Sequence, residues 1–298
     1  MESSRRIFLA SLIVFASGTF WGLYWLPVRE IDGLGLIGAW GTVAIAAAGL
    51  LLLAPVAWIN RRLLKQADGW ALASTALGGF AFLLYSVSFL FGQVAVVVIL
   101  FFLSPVWSTL IGRFWLGWPI TRMRVLVLVF GLAGLAVMLG AEGAVPIPRS
   151  LGEWLGLASG FCWAVASTGL RIRPPVPPVS GAFVFVSGSF IGGLVLAPLL
   201  APMPDVAAIE ALGTLALWVL LTGALWWAAM LIGLMWAAPQ LEPARTGILL
   251  MVEVPVAAVS AAIIVGEHLT AVQMIGGALV VIAGLLEVVP ARKRRWRR

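Results

Sequence analysis

The chain has 298 residues, of which 62% are hydrophobic and 10% charged, with a net charge of +7 and a mean hydropathy of +1.09. That balance excludes a water-soluble globule and makes the chain an all-α, polytopic integral membrane protein. A single cysteine, Cys162, and a single histidine, His268, exclude an intrachain disulfide and a Cys/His metal cluster, so no metal or other cofactor is expected.

Residues 1–18 have the basic start, apolar run and small residues of a secretory signal peptide. The apolar run continues to Pro27, long enough to span a bilayer, and therefore reads as an uncleaved first helix. Apolar windows of about 20 residues then give ten spans, at 6–27, 35–58, 69–91, 94–114, 123–141, 152–171, 180–200, 210–236, 242–265 and 270–289. With the N-terminus inside, the inner segments carry Arg5, Arg6, Arg61, Arg62, Lys65, Arg113, Arg122, Arg124, Arg171, Arg173, Arg245 and the six cations that follow Pro290. That is 17 of the 19 basic residues, leaving Arg29 and Arg149 outside. The positive-inside rule accounts for the charge without nucleic acid and fits an inside N-terminus. The basic tail is chiefly a topology anchor that also suits anionic lipid.

The two halves echo each other. Ala16, Ser17, Gly18 and Trp21 recur as Ala158, Ser159, Gly160 and Trp163 at an offset of 142. Leu103-Ser104-Pro105-Val106 is echoed by Glu253-Val254-Pro255-Val256 at an offset of 150, and Gly117 to Thr121 by Gly266 to Thr270 at 149. Five spans per copy is odd, so the second copy enters the membrane upside down. The expected domains are residues 1–145 and residues 146–298, the latter with the basic tail, joined at the seam 142–151. The Pro-rich stretch 171–180 is a stiff inner connection.

The second copy, VEVPVAAVSAAIIVGEHLTAVQMIGGALVVIAGLL, has a proline near mid-helix, then G-E-x-L-T, then a glycine-containing apolar helix. It resembles the EamA-type repeat of the drug/metabolite transporter superfamily. The likeness is clearest over residues 252–286 and looser in the first copy, where Trp118 stands in place of the acid. It implies ten helices in two inverted five-helix repeats, both termini cytoplasmic in a multi-pass protein of the inner (plasma) membrane, and export of small metabolites rather than an enzyme. Within the superfamily the chain is most similar to the YddG-type exporters, which favour aromatic and other neutral amino acids.

The expected substrate path is lined by aromatic and hydroxyl stripes. Span one offers Ser17, Trp21 and Tyr24; span three, Phe82 and Tyr85; span four, Phe101, Ser104, Trp107 and Ser108; and span six, Ser159, Trp163 and Ser167. Rings can hold an apolar side chain while hydroxyls and helix ends meet its amino and carboxylate groups. Such stripes serve packing as well, and Trp115, Trp118, Trp154 and Trp218 read as an interfacial belt. Pro105 and Pro255 kink their helices at matched positions and are candidate gates.

Glu253 is an acid in mid-span, where ionisable groups are costly and functional by default. Three roles are open to it: carrying a proton that couples export to the gradient, meeting a substrate ammonium, or bonding as a neutral structural element. Glu267 and His268, near a span end, are expected to be exposed. The leading function is alternating-access export of neutral or aromatic amino acids. Alternatives are a drug or a nucleotide sugar as cargo, or an integral membrane enzyme, which would need more convergent titratable groups than the chain offers.

Overall fold

The protein, seen here as a computed structural model, is described over residues 2–119, 122–140, 147–173, 176–241 and 243–288. Residues 120–121 of the first G-x-x-x-T echo, residues 142–146 of the seam, the Pro174-Pro175 pair and the basic tail lie outside the described residues. Every regular element among the described residues is helical.

In chain order these are α1 (Glu2–Gly22), α2 (Trp25–Gly33), α3 (Ala39–Ile59), α4 (Arg61–Gln66), α5 (Gly69–Phe91), α6 (Val94–Phe101), α7 (Ser104–Phe114) and α8 (Arg122–Leu139). The second half holds α9 (Leu151–Arg171), α10 (Pro178–Leu200), α11 (Leu212–Thr222), α12 (Leu231–Ala237), α13 (Pro243–Leu250), α14 (Glu253–Val265) and α15 (Ala271–Val288). Eight helical segments are long and apolar enough to cross a membrane. The two other expected spans are also helical, the apolar α15 and the less apolar α9. Hydropathy alone misses α9 because its buried side is Gly152, Gly156, Ser159, Gly160, Ala164, Ala166 and Thr168, residues that meet other helices rather than lipid.

Three spans break near their middles. The fourth pauses at Phe102-Leu103 and restarts at Ser104, and the ninth pauses at Met251-Val252 and restarts at Glu253. Pro105 and Pro255 sit in the first turn after each break, where a missing N–H costs nothing. The pauses are bridged by three-residue turns, Leu103 N–H to the Leu100 carbonyl at 3.2 Å and Val254 N–H to Met251 at 3.2 Å. The matched kinks expected at Pro105 and Pro255 are thus present in both halves. The first span also breaks, at Leu23-Tyr24, and does not end at Pro27 as its sequence suggested; it runs to Gly33, because Pro27 falls in the first turn of α2. The eighth span has no such stop. Between α11 and α12 it winds into a π-helix over Gly223–Met230, a rare geometry found mostly at functional positions.

Exchanging the halves carries the packing onto itself. Span one lies on spans eight and nine (α1 on α12, α13 and α14), as span six lies on spans three and four (α9 on α5, α6 and α7). The second span meets the seventh (α3, α10), the fourth meets the ninth (α6, α14) and the fifth meets the tenth (α8, α15). Matched glycines make the matched contacts. A Cβ on Gly18 would come within 3.1 Å of the Leu250 carbonyl, and one on Gly160 within 2.8 Å of the Phe101 carbonyl. At the α8–α15 crossing, Gly134 and Gly276 face each other so closely that a Cβ on either would meet the other's carbonyl at 2.6–2.7 Å. Small residues allow this approach, which supplies packing where lipid removes the hydrophobic drive between helices.

The α5–α10 crossing is the tightest case. A Cβ at Gly79 would overlap the Phe185 carbonyl, and one at Gly188 the Ala76 carbonyl. Gly79→Leu is expected to abolish monodisperse protein in detergent, read by size-exclusion chromatography. Gly213→Leu, where an added Cβ meets nothing within 4 Å, should elute as the parent does.

Candidate functional site

The site is built from rings. The span-one break turns Trp21 and Tyr24 inward. There they meet Phe82 and Tyr85 of α5, Phe101 at the end of α6, Trp163 of α9, Phe185 of α10, and Trp226 and Trp227 of the π-helix. Phe82 is the hub, with ring centroids 4.8 Å from Trp21, 5.2 Å from Phe185, 5.4 Å from Trp163, 5.6 Å from Phe101 and 5.9 Å from Tyr85. Most of these pairs are edge to face, the arrangement that the ring quadrupole favours. Both halves contribute, so the cluster sits at their interface. An aromatic-lined cavity was expected; here the rings pack on one another, with Phe82 and Trp163 still partly exposed.

A polar thread runs through the rings. Tyr24 bonds Ser86 at 3.1 Å and accepts the Trp227 indole N–H at 2.9 Å, while Ser86 also bonds Thr42 at 2.7 Å. Tyr85 donates its hydroxyl to Glu253 Oε1 at 2.5 Å, across the two halves. Glu253 is the first residue after the span-nine break and is 7% exposed. The acid therefore lies beside the kink, in reach of the aromatic cluster through Tyr85. Its repeat counterpart, Leu103, is buried as well but lies in the neighbouring apolar cluster with Val106 and Met138.

Two polar groups on the buried face of α1 are unspent. Ser17 Oγ and Trp21 Nε1, one turn apart on α1, are buried and bond no partner among the described residues. Buried polar groups are normally satisfied, and each one left over needs an explanation.

Trp21, Tyr24, Phe82, Tyr85, Phe101 and Trp163 are thus gathered at one centre; Ser17 is buried one turn before Trp21 on α1, and Ser159 spends its hydroxyl on the Ala81 carbonyl at 2.8 Å and serves helix packing. Ser167 likewise bonds back to Ala164. Trp107 does not join the rings: it packs on Phe161 at 5.8 Å and against the second apolar cluster. Ser104 and Ser108 share its helix α7 beyond the break, and neither is among the residues of the ring cluster. Sequence reasoning missed Phe185, Trp226, Trp227, Thr42 and Ser86. The adjacent Trp pair in mid-span was the available signal, being unlike the belt tryptophans Trp115 and Trp154, which are 69% and 53% exposed.

Fold and site together define a polytopic helical membrane protein with an aromatic centre between two five-helix halves. Residues 8–140 match the profile described as "EamA-like transporter family", whose members move small molecules across membranes. The matched residues lie in the first half, whereas the sequence reading found the clearer likeness in the second. No curated protein matches the chain. A solved structure titled "Crystal structure of protein" superposes with a TM-score of 0.59 at 17% identity, over 93% of this chain and 95% of that one. At that identity the likeness speaks for the fold, and it extends through both halves.

Proposed function

We propose that the protein exports neutral, chiefly aromatic, amino acids by alternating access, the cargo crossing between the two halves at the Phe82 ring cluster. The single observation that carries this reading is the convergence of rings, unspent donors and one carboxylate. An aromatic side chain replaces ring contacts the cluster now makes with itself. The cargo carboxylate finds Trp21 Nε1–H and Ser17 Oγ, and its ammonium finds Glu253. The matched kinks at Pro105 and Pro255 flank this level and let the half-helices swing. Strongly anionic cargo is disfavoured because, among the described residues, the ring cluster has a carboxylate beside it and no cation within it. The self-consistent packing on exchange of halves supports the division into residues 1–145 and 146–298.

The protein resides in the inner membrane with both termini cytoplasmic. A cysteine placed at position 297 should resist an impermeant maleimide added to intact cells and react after lysis; labelling in intact cells would overturn this topology. Efflux of a panel of labelled amino acids from proteoliposomes tests the cargo. Phenylalanine or tryptophan leaving well above the rate from protein-free liposomes is the expected result. No amino acid above that background, with a lipophilic cation moving instead, would move the assignment to drug export.

A further inference from the structure

The G-E-H-L-T motif that follows α14 has no part in the ring cluster, and its acid was expected to be exposed. Instead Glu267 is held in a knot. Its Oε1 lies 2.7 Å from the Arg29 guanidinium, and its Oε2 accepts the Val94 N–H at 2.8 Å. Arg29, at the far end of the first span, also donates to the carbonyls of Phe89 at 2.9 Å and Gly92 at 3.0 Å and stacks over Trp25 at 5.3 Å. The pair is only 27% and 21% exposed. Two residues thus tie together α2, the end of α5, the start of α6 and the loop before α15, which belong to different halves. Phe89 continues the cluster upward through Tyr85 at 4.6 Å, so the knot caps the column of rings. A further bond, Trp25 Nε1–H to Ser260 Oγ at 3.0 Å, ties α2 to α14 just below.

We infer that Arg29 and Glu267 form the outer latch of the transport path: the ion pair holds the outer end shut, and its opening is the step that exposes the ring cluster to the outside. This deepens the export reading and rests on it for direction. The charges are suited to the task. A part-enclosed, multiply bonded arginine pair is strong enough to hold one state, and its groups can be rehydrated at the rim when the halves rock apart. Arg29 acts as a positioning residue, since it does not touch the cargo centre.

The test uses the full chain with Cys162→Ser and a reporter, Phe89→Cys, in proteoliposomes of known orientation, probed by an impermeant maleimide without cargo. Arg29→Gln and Glu267→Gln should each raise labelling from the outer side at least about fivefold, the low end of ordinary coupling between two sites. The double variant should add little more than either alone. Unchanged outer labelling in variants that elute as the parent does would overturn the latch. A second arm leaves the latch intact: Gln93→Cys with His268→Cys, joined by a short bis-maleimide, should block efflux relative to the unjoined protein. Full efflux from the joined protein also overturns the proposal. Labelling shifts without any amino-acid export would leave the latch standing and fell the cargo reading, and the converse would fell the latch alone.

Discussion

Phe82→Ala should lower phenylalanine efflux at least about tenfold, because this partly buried ring touches five others and its loss removes the hub of the cluster. The cavity so formed also destabilises the fold, so Phe82→Leu is the companion. Leucine keeps an apolar side chain and leaves a smaller void than alanine does, but it has no π face. The expected result is a Leu variant with near-parental thermal stability and an efflux defect larger for phenylalanine than for leucine as cargo. Equal loss for both cargoes would mean that Phe82 serves packing alone. The measurement is initial efflux rate in proteoliposomes alongside a melting curve in detergent.

Glu253→Gln separates the open roles of the acid. Glutamine keeps an oxygen for the Tyr85 hydroxyl, so the fold should survive, and the variant should retain equilibrium exchange of cargo while losing any acceleration of net efflux by an imposed pH gradient. If the acid instead holds the cargo ammonium, exchange and net efflux fall together. Tyr85→Phe leaves the carboxylate without its one donor among the described residues and costs about 1.5–3 kcal/mol; Glu253→Gln combined with Tyr85→Phe should recover part of that loss, since a neutral amide needs the donor less. Exchange, gradient-driven efflux and stability are read in parallel. Indifference of all three to Glu253→Gln would remove the residue from the mechanism.

Much of this was legible from residues because membrane helices obey few rules. Length and hydropathy located the spans, and the A-S-G-x-x-W echo the matched close contacts at Gly18 and Gly160. What was not legible depended on where a helix stops being a helix. Pro27 read as an end, yet its place in the first turn of α2 lets the span continue. The pause at Phe102-Leu103 divides the span between Phe101 and Ser104, so the stripe of Phe101, Ser104 and Ser108 read from an unbroken helix does not run on one straight element. The π-helix at Gly223–Met230 has no proline to announce it, so Trp226 and Trp227 were unassigned although they form one wall of the site. Glu267 was misjudged because nearness to a span end says nothing of what a neighbouring helix brings to meet it; Arg29 lies more than two hundred residues away in sequence.

The central claim is that cargo passes between the halves at the ring cluster, and cysteine access tests it most directly. In a Cys162→Ser background with Ser17→Cys, the account predicts slow reaction with an impermeant reagent from either side of the membrane, and protection of both reactions by phenylalanine. A residue at 17 that reacts from neither side during turnover, or that reacts without protection by cargo, would contradict it.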